Sequence, residues 1–396
     1  MRLMRVNYSN EHKEGWLSEL PQPSVGVPRI LIFNDVHLMH EQTPTWIIIE
    51  NLMFLINKAI EKSVKVFVVP GDLFDERGSL EDERSHLTIE FSNWLLVEAK
   101  KHNITIILVE GTPKHDRKQY KVLLRLNKNI GVDVKYYTDI TIHHEPKLNL
   151  VFGLIPDEYR DNAADTTKLF KELMKSSGYN KLDAIFLHGL CNFQIPHIKS
   201  IANFCEKVLT KLTKYGVFIA HDHNEKLYST DSVKARVLGS SDCLSHGEVG
   251  NKGVNVVDFT EKEAIIYHLV NPSPCQYITV EGTGKSSEQI VNELEAALKR
   301  AKGKRFFKEA KFRVTYPHDC DLKETIKSLS ETYGIKIKAT KLPNKDKILK
   351  VNQAFLSKVE EGVLLDKETI RRKLLERSSF SESVTTQILE EVEGRI

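Results

Sequence analysis

The chain lacks several features that would place it in a class at once. Its five cysteines, at positions 191, 205, 243, 275 and 320, form no C-x-x-C pair, which favours buried thiols in a reducing compartment over a disulfide framework. The first 27 residues contain no signal-peptide core, and no stretch reaches the roughly 18 apolar residues that a membrane span needs. The net charge of +3 names no partner, and no internal repeat or low-complexity tract is found. We therefore expect a cytoplasmic protein with no membrane partner.

The length of 396 residues is enough for one large catalytic domain and one or two small ones. Apolar runs at 29–35, 64–72 and 104–111 are typical of buried strands, and the stretches at 45–63 and 80–103 predict helices between them. Further β-type runs with little helix continue to about residue 270. The pattern predicts an α/β fold with two stacked sheets, a four-layer αββα arrangement.

Two prolines in NPSPCQ, residues 271–276, mark a domain boundary, because proline cannot donate in a strand ladder. Beyond it, β-runs alternate with helices at 286–302 and 321–333 and predict a small α/β cap, and the remaining chain is helical and charged. We predict four segments: an N-terminal extension (1–27), a catalytic domain (28–271), the α/β cap (272–343) and a helical C-terminal tail (344–396).

Acidic and histidine side chains stand at the ends of the first two predicted strands. In NDVHL, Asp35 and His37 are two residues apart, so strand alternation sends both to one face. In PGDLFD, Asp72 directly follows Gly71, which lets the backbone turn sharply after an apolar strand. A carboxylate at that position can bridge two cations.

Three more histidines end later strands. FLHGL places His188 at a strand end, and IAHDHN places His221 and His223 two residues apart. Imidazole and carboxylate ligands suit two divalent transition ions such as manganese, iron or zinc. Two such ions about 3.5–4 Å apart can bind both the attacking and the departing oxygen of a phosphoester and acidify a bridging water. The six residues therefore predict phosphoesterase chemistry.

Each motif alone has a simpler interpretation. A histidine at a strand end is more often a core or surface residue, and a Gly-Asp pair is more often a turn. The prediction depends on the co-occurrence, in order, of Asp-x-His, Gly-Asp, His-Asp, Leu-His-Gly and His-x-His, each after an apolar run.

With this order of motifs, the sequence from about residue 29 to 270 resembles the calcineurin-like metallophosphoesterase superfamily. GDLFDERG, then GSSDCLSHGEVGNKGV at 239–254, a small cap and a helical tail are similar to the SbcD-type nuclease subunit of double-strand-break repair, known in eukaryotes as meiotic recombination eleven. That family has phenylalanine where this chain has His246. The resemblance implies a DNA nuclease with two divalent cations, expected to be manganese, and a homodimer formed through helices of the catalytic domain.

One loop departs from the family pattern. The superfamily has Gly-Asn-His-Asp where this chain has GTPKHD, residues 111–116, a variant that resembles phage-encoded relatives. In the family, the asparagine ligates one metal and the histidine acts at the phosphate without being a ligand. The resemblance therefore implies a catalytic role for His115, with Asp116 either orienting it or serving a structural role. The Thr112 oxygen, a backbone carbonyl or water is left to replace the missing amide.

The segment KRAKGKRFFKEAKFR, residues 299–313, carries eight lysines or arginines and one glutamate. A basic run is most often a solvated helix end, although such a density of charge can also contact phosphates. The cap of the family that this chain resembles flanks DNA, which favours the second interpretation. The predicted DNA-binding residues are Lys302, Lys304, Arg305, Lys308, Lys311 and Arg313.

The C-terminal tail is predicted to form two short helices, each with an apolar stripe. Helices this short are marginal alone, so they must dock on their own domain or on a partner. The resemblance implies an SbcC-type coiled-coil ATPase as that partner. Its expected contacts are Ile370, Leu374, Leu375, Val384, Ile388, Leu389 and Val392.

The resulting expectation is a DNA exonuclease and endonuclease that acts with this ATPase in double-strand-break repair and recombination. Two alternatives stay open. One is a phosphatase or cyclic-nucleotide phosphodiesterase with the same dimetal site, which would prefer small phosphoesters. The other is a non-catalytic DNA-end-binding adaptor, in which the altered loop has cost the protein its second ion.

Overall fold

The computed structural model describes residues 20–79, 81–195, 200–229 and 234–342, with the side chains of 158–160 left out. The predicted tail, 344–396, and residues 1–19 of the predicted extension lie outside these ranges. The strands and helices follow in the order β1 (Arg29–Ile32), α1 (Thr45–Glu61), β2 (Val66–Pro70), α2 (Glu83–Lys101), β3 (Thr105–Val109), α3 (Lys121–Asn127), β4 (Val134–Tyr137), β5 (Thr141–Glu145), β6 (Leu150–Ile155), α4 (Ala163–Ser176), β7 (Leu182–His188), α5 (Glu206–Leu209), β8 (Thr213–Ala220), β9 (Lys226–Ser229), β10 (Lys234–Val237), β11 (Gly253–Phe259), β12 (Ala264–Val270), β13 (Tyr277–Val280), α6 (Ser287–Lys302), β14 (Lys311–Tyr316), α7 (Lys323–Tyr333) and β15 (Ile337–Lys341).

Two six-stranded sheets make up most of the described chain. The first has the order β12-β11-β1-β2-β3-β4, in which β1 to β4 are parallel, β11 is antiparallel to β1 and β12 is antiparallel to β11. The second has the order β5-β6-β7-β8-β10-β9, in which β6, β7, β8 and β10 are parallel and the outer strands β5 and β9 are antiparallel. The helices α1 and α2 connect consecutive parallel strands of the first sheet, as βαβ units require.

The buried side chains show how the layers stack. Ile30 and Val68 of the first sheet pack with Phe152 and Phe186 of the second, so the two sheets face each other. The opposite face of the first sheet packs against α1 and α2, and that of the second packs against α4. Strands buried on both faces explain the continuous apolar runs of the sequence. The predicted αββα architecture is confirmed.

A buried ion pair ties the amino-terminal end of β1 to β11. The Arg29 side chain donates from Nε to Asp258 Oδ1 at 2.5 Å and from Nη2 to Asp258 Oδ2 at 2.7 Å. Its Nη1 donates to the backbone carbonyls of Pro21 and Lys62. Nearly all of the guanidinium's donors are thus satisfied, which is the condition under which a buried charge is tolerated.

The chain divides into two compact units: residues 1–279 with 295–313 and 329–337, and residues 280–294 with 314–328 and 338–396. Both six-stranded sheets belong to the first unit. The strands β13, β14 and β15 form a further three-stranded sheet. The boundaries at 27, 271 and 343 stay predictions. All five cysteines are free, two of them buried, and no helix among the described residues is long and apolar enough to cross a membrane.

Candidate metal centre

The six predicted ligands meet at one edge of the two sheets. The segments that carry them follow β1, β2 and β8 or end β7, and parallel strands that end at the same edge bring such segments together. Ligand atoms lie within 4.8 Å of one another in two groups, Asp35 with His37 and His223, and Asp72 with His188 and His221. We call these groups the first and the second corner.

In the first corner, two imidazoles present their lone pairs to each other. His37 Nδ1 donates to Asp75 Oδ1 at 2.8 Å, and His223 Nδ1 donates to Glu248 Oε1 at 3.0 Å. Because an ionised carboxylate only accepts, each Nδ1 carries a hydrogen, and a ring that carries no second proton turns a bare Nε2 inward. The two Nε2 atoms lie 3.1 Å apart. Lone pairs at this distance repel, and a cation between them would remove the repulsion.

The second corner repeats the pattern. His188 Nδ1 donates to the Pro70 carbonyl at 2.9 Å, and its Nε2 lies 3.3 Å from Asp72 Oδ2 and 3.3 Å from His221 Nδ1. Asp72 Oδ2 is also 3.8 Å from His37 Nε2, a first-corner atom. Asp72 therefore lies between the corners, where a bridging carboxylate is expected.

This donor set fits two divalent cations. Imidazole nitrogens and carboxylate oxygens converge, and the outward nitrogens of three of the histidines are held by a carboxylate or a carbonyl, as is typical of metal-ligating histidines. Asp35 and His188 are fully buried and Asp72 is nearly so. Buried carboxylates without positive partners would be strongly destabilising.

The backbone around the site is strained in a way that supports a functional role. Four of the six candidate ligands have positive φ: Asp35 at 47°, His37 at 51°, Asp72 at 51° and His221 at 98°. Such conformations cost about 1–3 kcal/mol each and persist where the surrounding structure enforces them. Gly71, at φ 100°, also allows close approach, because a Cβ there would lie 2.0 Å from His188 Nδ1.

Asp72 and His188 influence each other's protonation. Burial would raise the pKa of Asp72, but the nearby His188 charge and hydrogen bond hold it below its usual value. Burial would lower the pKa of His188, but Asp72 raises it to about 10. The raised pKa of His188 beside the lowered pKa of Asp72 favours a proton shared by the two side chains. A divalent cation that takes this place must displace the proton.

Thr112 lies in the second corner. Its Oγ1 donates to Asp72 Oδ2 at 3.1 Å and lies 3.3 Å from His188 Nε2 and 3.5 Å from His221 Nδ1. Its backbone N–H donates to Asp72 Oδ1 at 2.6 Å. Of the three replacements for the missing amide, this position favours the Thr112 hydroxyl.

His115 lies beside the first corner with its ring accessible. The ring centroid is 4.8 Å from that of His37, and Nδ1 donates to the Asp75 carbonyl at 2.7 Å. With His37 and Asp72, it forms a third group of ligand atoms within 4.8 Å. The side chain is 27% exposed, so it can reach a bound phosphate.

Asp116 does not orient His115. Its fully buried carboxylate accepts the backbone N–H groups of Asp72, Phe74 and Gly111 at 3.0, 3.1 and 2.8 Å. We therefore correct its assignment from a catalytic residue to one that holds together the two loops carrying Asp72 and Thr112. The physical reason is that its acceptor oxygens are already used by the backbone.

Two carboxylates that the sequence analysis did not single out hold the first-corner histidines. Burial would raise the pKa of Asp75, but its hydrogen bond from His37 lowers it. Burial also opposes ionisation of Glu248, yet His223 and Lys252 lower its pKa to about 2. The second aspartate of PGDLFD and the glutamate of SHGE were the available signals, because histidine ligands commonly need carboxylate partners.

The predicted DNA-binding residues separate into two sets. Lys302, Lys304, Arg305 and Lys308 are exposed and line one cavity, while Lys311 and Arg313 are half-buried on β14. The predicted ATPase contacts from Ile370 to Val392 lie outside the described residues.

No protein-family model and no curated protein matches the chain. Among solved structures, it is similar to a dimetal phosphatase from Danio rerio at 12% identity and a TM-score of 0.41, covering 61% of this chain and 99% of that one. It is also similar to a conserved uncharacterized protein, a predicted phosphoesterase, from Streptococcus pneumoniae at 8% identity and a TM-score of 0.28, covering 63% and 97%. Both TM-scores lie below 0.5, so the functional assignment rests on the geometry of the site.

Proposed function

We propose that the protein is a metal-dependent phosphodiesterase that cleaves DNA. The observation that carries the proposal is the pair of three-residue corners joined by Asp72, in which imidazole nitrogens and carboxylate oxygens converge at 3.1–3.8 Å. Two divalent cations bound there would neutralise phosphate oxygens and acidify a water for attack on phosphorus. Manganese is the metal we propose.

His115 is the residue proposed to act on the substrate directly. Its Nδ1 hydrogen is engaged by the Asp75 carbonyl, so Nε2 is the atom that can hold or deliver a proton. A proton there can stabilise charge on the phosphate or protonate the leaving oxygen. Asp75 thereby positions both His37 and His115.

The basic segment supports DNA as substrate, and the apolar stripes of the C-terminal tail support an SbcC-type ATPase partner. With it, the protein would act as an exonuclease on duplex ends and an endonuclease on single strands during break repair. A homodimer formed through catalytic-domain helices is part of the same proposal. Ile89 and Val97 of α2 are exposed and available for such a contact.

The test compares His115→Leu with the wild type and with His144→Leu, which removes an exposed histidine of β5. We expect His115→Leu to lower manganese-dependent DNA cleavage by about 10²–10⁴-fold, the usual contribution of a general acid or base. Metal content should stay near two equivalents, and His144→Leu should match the wild type.

Full activity of His115→Leu would contradict this role. A wild type that hydrolyses small phosphomonoesters far better than DNA would favour a phosphatase. Tight DNA binding with one equivalent of metal and no cleavage would favour the adaptor.

A further inference from the structure

In addition to the candidate metal centre, the first unit contains a cavity lined by aromatic and basic side chains. Its volume is about 510 Å³, within the range of small-molecule sites. The aromatic side chains are Trp46, Phe306, Phe307 and Tyr333, and the basic ones are Lys302, Lys304, Arg305 and Lys308. We call it the Trp46 cavity.

Trp46 is the most exposed of the four aromatic side chains of the cavity. Its ring contacts Phe306 edge-on, with centroids 5.4 Å apart at 84°, while Phe306 itself is buried. Trp46 stays 37% exposed. An indole fixed by a buried neighbour and left open on the cavity side can stack on a flat ring without a large loss of side-chain entropy.

The cations of the cavity are placed by aromatic faces and by one ion pair. Lys302 Nζ lies 5.7 Å from the Tyr333 centroid and Lys308 Nζ 5.8 Å from that of Phe307. Arg305 pairs with Glu50, so it is partly neutralised. Four cations and one acidic residue, Glu309, line the cavity, which gives it a positive potential.

We propose that the Trp46 cavity binds one unpaired nucleotide of a single-stranded nucleic acid, with the base stacked on Trp46 and the adjacent phosphates contacted by Lys302 and Lys304. A nucleotide offers a flat ring to the aromatic side chains of the lining and an anionic phosphate to the basic ones. Proteins that bind single strands without sequence preference combine base stacking with a basic groove in this way. A base-paired nucleotide cannot offer its ring face in this way, so the cavity selects unpaired strands.

The position of the cavity suits this role. The loop that follows His37 leads directly to α1, and Trp46 stands nine positions after His37, a contour length of about 30 Å at most. Thr43 of this loop donates its N–H to His40 and shares a hydroxyl hydrogen bond of 2.7 Å with Tyr277. The loop between the metal centre and the cavity is therefore held in place. This inference rests on the proposed nuclease function and specifies its substrate as single-stranded.

The experiment measures binding of a fluorescent oligothymidylate to the full chain in chelator, so that cleavage does not interfere. We expect Trp46→Ala to weaken binding by about 5- to 150-fold, the usual effect of losing one stacked base. Trp46→Phe should keep most of the affinity and Trp46→Leu should lose it, although both fill the site. In the wild type, stacking should quench tryptophan fluorescence.

A matched charge control separates stacking from general attraction. Lys304→Gln should reduce the salt dependence of binding by about one phosphate's contribution, a slope of roughly 0.7. Lys262→Gln makes the same change in net charge. Lys262 is an exposed residue just after β11, at the end of this strand that pairs with the amino-terminal end of β1, away from the metal centre. This variant should leave the slope unchanged.

Two further nucleic-acid ligands, an abasic single strand and a duplex, decide the outcome. A strand with abasic thymidylate positions should bind the wild type as weakly as Trp46→Ala binds the normal strand, and a duplex of equal length should gain nothing from Trp46. Equal binding of normal and abasic strands, or of Trp46→Leu and wild type, would overturn the proposal. Hydrolysis of bis(4-nitrophenyl) phosphate with manganese reports on the metal centre separately. The absence of this hydrolysis would contradict the proposed function and leave the cavity result intact.

Discussion

Asp75 offers the sharpest test of how the site is built, because one side chain holds His37 while its own backbone holds His115. Asp75→Asn keeps the size and one acceptor oxygen but removes the charge. A hydrogen bond to a charged group contributes about 1.5–3 kcal/mol and a neutral one about 0.5–1.5 kcal/mol. Asp75→Asn replaces the charged hydrogen bond from His37 Nδ1, 2.8 Å long, with a neutral one. The variant should therefore weaken the metal affinity of the first corner by about 1–1.5 kcal/mol, or roughly 5- to 13-fold.

Asp75→Ala removes the partner altogether and should cost about 10- to 100-fold, the usual effect of deleting a carboxylate behind a metal-binding histidine. Manganese affinity is measured by calorimetry, and the pH profile of DNA cleavage is recorded alongside. We expect the acidic limb of that profile to move in both variants, because His37 loses the negative charge of its partner. A purely structural residue would lower activity without moving the profile.

Glu76→Gln is the matched control. Glu76 is the next residue, its side chain is 47% exposed, and it pairs with Arg84 rather than with a histidine. We expect wild-type metal affinity and pH dependence from it. If Asp75→Asn binds manganese as tightly as Glu76→Gln, the reasoning about the first corner is refuted.

Two more substitutions test the close approach of Gly71 to His188 and the buried ion pair between Arg29 and Asp258. Gly71→Ala should abolish metal binding and cleavage, since its Cβ would lie 2.0 Å from His188 Nδ1. Gly178 has a similar positive φ with nothing within 4 Å of a Cβ placed there, so Gly178→Ala should lower the free energy of unfolding by only about 1 kcal/mol and leave activity unchanged. Equal activity losses in both variants would show that backbone strain, not the clash, matters. Asp258→Ala leaves the Arg29 charge buried without its partner and should lower the free energy of unfolding by about 3–5 kcal/mol, measured by urea denaturation. The folded variant should bind the same number of metal ions as the wild type. A loss of less than about 1 kcal/mol would contradict the argument that this ion pair is buried.

The sequence predicted the architecture well because strands buried on both faces leave long apolar runs, and the βαβ connections are regular. The ligand residues were identifiable for a related reason. Asp35, Asp72 and His188 each stand where an apolar run stops, and parallel strands that stop at one edge must bring those positions together.

What escaped the sequence analysis depends on distances that no local pattern encodes. Asp116 follows His115 directly, yet its carboxylate turns to the backbone of a loop 44 residues earlier in the chain. Glu248 reaches His223 across 25 residues, and Trp46 meets Phe306 across most of the chain. Such partners are determined by how distant loops pack, so a nearby glutamate or tryptophan can be noticed in the sequence but the residue that it contacts cannot be derived from it.

The most direct test of the central claim is manganese titration of the chelator-stripped protein, with bound metal and released protons counted together. We predict two equivalents per chain, with proton release on filling the corner that contains His188, and loss of both equivalents in Asp72→Ala because that carboxylate faces both corners. A wild type that binds no manganese, or an Asp72→Ala variant that still binds two equivalents, would contradict the account.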